Sequence, residues 1–88
     1  METPETPRLP DDLIIKADKL APFPRWEVLV AYRGRIRYLT PEQARTQARK
    51  LAMNARDPKI TAAVQALRHA AAECGRLERA HRKERRAG

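Results

Sequence analysis

The sequence predicts an α+β domain in the order α-β-β-α-α: a short N-terminal helix, a two-stranded antiparallel β-hairpin, then two antiparallel helices, the last one long. Three observations carry this prediction. Two strand-like runs, WEVLVAY and RIRYLT, flank Arg33-Gly34, as in a β-hairpin. Thr40-Pro41-Glu42-Gln43 reads as the start of a helix. Asp57-Pro58 repeats that punctuation ahead of a second, longer helical pattern.

Residues 1–10 contain three prolines and no apolar pattern, so this lead-in is expected to be disordered. Asp11 or Asp12 then caps a short helix over DLIIKADKL, where Leu13, Ala17 and Leu20 recur at helical spacing. The helix must end before Pro22, and residues 21–25, with Pro22 and Pro24, form an extended connector.

The hairpin register follows from which residues can share a buried face. A two-residue loop would place Trp26, Val28, Val30 and Tyr32 with Arg35, Arg37 and Leu39, which sets two arginines on the inner face. A three-residue loop, Tyr32-Arg33-Gly34, makes the inner face Trp26, Val28, Val30, Ile36 and Tyr38. The outer face is then Glu27, Leu29, Ala31, Arg35, Arg37 and Leu39, and the apolar pattern selects this second register.

Thr40 and Gln43 have the spacing of a capping box, and Pro41 sits at the first helical position, where its missing N–H is no loss. The helix that follows buries Ala44, Ala48, Leu51 and Ala55. In the second helix Ile60, Val64, Leu67, Ala71 and Cys74 form an apolar seam, and past Gly75 only Leu77 continues it. Residues 11–75 are thus expected to be the single small domain. Residues 76–88 form a basic helical arm, with six basic and two acidic residues between Arg76 and Arg86.

The chain has 88 residues and a formal net charge of +8, and fourteen of its nineteen basic residues are arginine. An arginine- and alanine-rich chain is also what a GC-rich bacterial or phage genome would write, so codon bias is one reading of this content. The same content suits a polyanion, because the guanidinium fork binds phosphate or carboxylate bidentately. The run GRIRYLTPEQARTQARKLA resembles strand–helix modules of small bacterial and phage proteins, which implies a fold element and no activity.

The candidate binding set is Tyr32, Arg33, Arg35 and Arg37 on the hairpin, Arg45, Arg49 and Arg56 on the first long helix, and Arg79, Arg82, Lys83 and Arg86 on the second. Arginines gripping phosphates, with Tyr32 stacking on a base, predict a DNA- or RNA-binding module with weak sequence preference. The alternative partner is an acidic protein surface, on which a regulator or a phage-encoded inhibitor would dock, with Leu29, Leu39 and Tyr32 at the centre. A homodimer would help so thin a core.

No Gly-rich phosphate loop, carboxylate pair or Ser/His/Asp arrangement suggests an enzyme, and no cofactor is expected. Cys74, His69 and His81 match no zinc spacing, so no metal is expected, and Cys74 reads as a core residue. With one cysteine and no long apolar run, the chain is expected to be cytoplasmic, without a membrane.

Overall fold

The protein is described here by a computed structural model. It describes residues 9–20, 25–53 and 56–87, the last four of these for their backbone. The expected disordered lead-in over residues 1–8, the connector at 21–24 and the burial of Ala55 lie outside the described residues.

Three strands precede two helices: β1 (Leu13–Leu20), β2 (Arg25–Tyr32), β3 (Arg35–Leu39), α1 (Pro41–Ala52) and α2 (Pro58–Ala87). The sheet is an antiparallel meander in the order β1-β2-β3. The α+β class, the hairpin and the helical pair agree with the sequence reading. The short N-terminal helix does not, because Leu13–Leu20 is a strand paired with β2 from Leu13↔Tyr32 to Leu20↔Arg25.

The reason lies in what β2 requires. Val28 is fully buried, so a bare β2 edge would leave backbone N–H and C=O groups without partners beside the core. A two-stranded hairpin is also barely stable alone. LIIKADKL alternates Leu13, Ile15 and Ala17 with Ile14, Lys16 and Asp18, and its β-branched isoleucines suit a strand. As an isolated helix of this length it would be too short to persist.

The hairpin register also differs from the expected one. Val28 pairs with Leu39, Val30 with Arg37 and Tyr32 with Arg35, so the loop is the two residues Arg33-Gly34. Arg33 has φ 49° and Gly34 φ 80°, the two successive left-handed residues of a type I′ turn, whose twist matches that of the flanking strands. Relative to the expectation, β3 is turned over. Leu39 faces the helices, while Ile36 and Tyr38 lie on the open face with Leu29 and Ala31. Two arginines on the helix side are tolerated because the helices do not reach them. α2 packs on β1 and β2, and α1 meets β3 near its C-terminal end. Arg35 and Arg37 therefore stand in solvent past the helical layer.

Both helices start as the sequence indicates. The Thr40 hydroxyl oxygen accepts from the Gln43 backbone N–H at 3.1 Å, and Gln43 Oε1 accepts from the Thr40 N–H at 3.0 Å. At α2 the Asp57 carboxylate accepts from the Lys59 N–H at 2.9 Å. The connection after Met53 is short, and α2 runs back along α1. At about 1.5 Å per residue its 30 residues span roughly 45 Å, which sets the long dimension of the 53 × 30 × 23 Å molecule.

The core joins Val28 to Ala44 and Ala48 of α1 and to Val64, Leu67, Ala70, Ala71 and Cys74 of α2. Ile15, Ala17, Trp26, Val30, Leu39, Leu51 and Ile60 pack around it. The alanines let the two helices and the sheet approach closely, and no aromatic ring is fully buried among the described residues. Little apolar area is therefore removed from water, and each large core side chain matters more than usual.

Candidate nucleic-acid interface

The type I′ turn places Tyr32 and Arg33 at the tip of the hairpin. Tyr32 is 42% exposed, and the Arg33 guanidinium lies over its ring with Cζ 5.3 Å from the centroid. Arg33 Nε is also 3.4 Å from Asp12 Oδ2, which ties the tip to the turn that leads into β1. This is a locally costly choice of residue. The first position of a type I′ turn favours Asn, Asp or Gly, and a left-handed backbone strains an arginine. Arg33→Asn is therefore expected to keep or raise stability, by up to about 1 kcal/mol, while weakening any contact made at the tip. Thermal unfolding and binding of the same variant read the two effects.

From the tip, Arg35 and Arg37 follow on one side of β3, about 6.8 Å apart at the usual rise per residue. Neither has a carboxylate within ion-pair distance among the described residues. Arg37 then opens onto a groove between β3 and α1. Leu39 and Thr40 line its floor, and Gln43, Thr46, Gln47 and Lys50 line its helical wall. Lys50 joins the row as a fourth cation, with Glu42 as the acidic member of the groove.

The other predicted residues do not join this edge. The buried stripe Ala44, Ala48 and Leu51 fixes the rotation of α1. With Thr46, Gln47 and Lys50 turned to β3, Arg45 and Arg49 fall on the opposite flank. Arg56 lies beyond the C-terminal end of α1. Arg79, Arg82 and Lys83 are exposed on α2, which packs against β1 and β2 rather than β3. Arg79 lies back along its helix, with Nη1 3.7 Å from where a Cβ on Gly75 would sit. The Arg86 side chain lies outside the described residues. Lys50 escaped the sequence reading because helical periodicity gives angles around α1 but not which flank turns towards β3.

Leu29 and Leu39, expected together at the centre of a protein contact, lie on opposite faces of the sheet, and Leu39 packs on the core. Tyr38, expected inside, is 45% exposed. Trp26 packs against the core as a structural residue, though its buried indole N–H has no partner among the described residues.

Cys74 is buried on α2, and no cluster of three His, Cys, Asp or Glu side chains occurs among the described residues. Burial pushes its thiol above the ordinary thiol range, and Glu78 adds to the shift. The folded state thus holds the proton more tightly than the unfolded chain. Its contribution is intact below the unfolded thiol pKa of about 8.5 and is lost as pH rises towards the folded value. The urea midpoint should accordingly fall across that range in the natural chain, and fall less in Cys74→Ala.

No protein-family model, curated protein or solved structure matches this chain. Among the described residues no helix is long and apolar enough to cross a membrane.

Proposed function

We propose that this protein is a small, non-catalytic binding module that grips the phosphate backbone of DNA or RNA with the outer edge of its hairpin. Arg33, Arg35, Arg37 and Lys50 supply the grip, and Tyr32 at the tip offers a ring on which a base can stack. The observation that carries this reading is the row Arg35–Arg37. Both arginines are exposed on one side of one strand and without a carboxylate partner among the described residues. Surface arginines held in ion pairs, such as Arg25 with Glu27 and Arg76 with Glu73, are partly neutralised and have less to offer a polyanion, and Arg33, paired with Asp12, is for that reason a secondary member beside Arg35 and Arg37.

Such contacts read charge and spacing rather than base edges, so weak sequence preference is expected. The test is fluorescence anisotropy with labelled duplex DNA, single-stranded DNA and RNA, at low and near-physiological salt. Micromolar or tighter binding that persists at the higher salt supports the reading. Binding confined to low salt is the non-specific attraction of a +8 chain and contradicts it.

The alternative partner, an acidic protein surface met by the same arginines, would show as failure to bind all three nucleic acids. Capture of one acidic protein, lost on charge reversal at Arg35 and Arg37, would then take its place.

A further inference from the structure

The second face of the sheet is unlike the basic edge. The register sets Ile14, Ala31 and Ile36 in one cross-strand row and Lys16, Leu29 and Tyr38 in the next. Ile36 is 62% exposed, Ile14 51% and Tyr38 45%. The helices pack on the other face, through Ile15, Ala17, Trp26, Val28, Val30 and Leu39. In a protein whose core is mostly alanine and valine, two isoleucines and a tyrosine side by side in water form a patch that calls for a cover.

We propose that a second copy of this chain covers this face, in a twofold dimer whose axis runs along β2. Three features favour that occupant. The first is charge. The open face carries exposed Lys16 and half-buried Asp18, and exposed Arg25, whose Nε lies 3.3 Å from Oε1 of the buried Glu27. The face is neutral on a chain of net charge +8, which suits neither a polyanion nor an acidic partner. It does suit a copy of itself.

The second is self-complementarity, which a twofold interface demands. An axis along β2 lays β1 of each copy over β3 of the other and β2 over β2. Ile14 of one copy then meets Ile36 of the other, twice. Ala31 meets Ala31, Leu29 meets Leu29, and each Lys16 ammonium comes over the opposite Tyr38 ring. No like charges meet in these two rows; in the row beyond, Glu27 would come over Glu27, each buried and paired with its own Arg25.

The third is that the sheet edges are guarded while the face is not. β1 exposes Lys16 and Lys19, and β3 exposes Arg35 and Arg37. Edge-to-edge extension through β3 would set arginines against arginines. Face-to-face packing leaves both arginines of each copy pointing away from the interface. The dimer thus carries two free basic edges, and it stands or falls independently of what those edges bind.

The platform is small, three strands about 4.8 Å apart over a five-residue overlap, which places it at the weak end of specific interfaces. Sedimentation velocity from about 1 to 500 μM should therefore show a reversible monomer–dimer equilibrium with a Kd in the micromolar range. Because the contact is apolar and the copies repel through their net charge, raising salt should strengthen it, whereas phosphate binding weakens with salt. Ile36→Asp should weaken dimerisation about a hundredfold, since each substitution enters the interface twice. The far-ultraviolet circular dichroism should stay unchanged, because Ile36 is outside the core. Arg35→Glu with Arg37→Glu should leave the dimer intact. A chain monomeric at 500 μM, or a dimer indifferent to Ile36→Asp, overturns the proposal. So does coverage of this face by another protein in place of a second copy.

Discussion

Reversing both charges of the β3 row, with Arg35→Glu and Arg37→Glu, is expected to weaken nucleic-acid binding about 10- to 100-fold near 0.1 M salt. It should also lower the slope of log affinity against log salt by about 2 for duplex DNA, since each phosphate contact contributes about 0.9 to that slope. The same change in net charge made on the far flank of α1, with Arg45→Glu and Arg49→Glu, should alter binding much less and leave the slope nearly as it was. Both pairs are exposed and remove four units of charge. A purely non-specific attraction would treat them alike, so the difference between the two double variants isolates geometry from composition. Neither pair lies in the core, and both variants should melt within about 0.5 kcal/mol of the natural chain.

Leu67→Ala is expected to lower the unfolding free energy by about 2–5 kcal/mol. Leu67 is 3% exposed and stands among Ala44, Ala48, Ala70 and Ala71, where neighbouring side chains are too short to close the resulting cavity. For a domain of this size the whole stability is roughly 4–13 kcal/mol, so the variant should lose a large share of it. A companion pair tests the strand register. Leu39→Ala should destabilise by more than Ile36→Ala, because Leu39 packs on the core and Ile36 is 62% exposed. Equal losses, or the reverse order, would restore the three-residue loop. Urea unfolding of dilute protein, followed by circular dichroism, measures all three.

What the sequence discloses and what it hides follow a physical division. Helix starts are local chemistry: Thr40, Gln43 and Asp57 each hydrogen-bond to backbone within three residues, so both starts were legible. The α2 seam from Ile60 to Cys74 was legible because its period extends over four turns. The eight residues of β1 were not, since a short apolar run fits either period, and its pairing with β2 is a tertiary event. The register is hidden for a related reason. Excluding arginine from the inner face presumes that the helices cover all of β3, whereas the β3 residue packed on the core is Leu39, at its end. The turn itself held a clue to the two-residue loop: Gly34 after a residue that can enter the left-handed region is a type I′ signal, although arginine is an uncommon partner for it.

The same division governs the candidate interface. The hairpin members Tyr32, Arg33, Arg35 and Arg37 are adjacent in sequence and stay adjacent in space. The helical arginines share stripes on their own helices, which says nothing of where those stripes face, and the fold scatters them over the flank of α1 and along α2. Lys50 enters only because the turn after Leu39 sets the direction in which α1 faces the strand.

The most direct measurement is a titration of ¹⁵N-labelled protein with a short duplex DNA at near-physiological salt, followed by amide chemical shifts. Saturable shifts concentrated at residues 32–37 and at Thr46 and Lys50, with Arg45, Arg49 and the open sheet face quiet, are the predicted result. Shifts spread along α2 and the Arg45–Arg49 flank, or none at all, would contradict an account in which the outer edge of the hairpin holds the phosphate backbone.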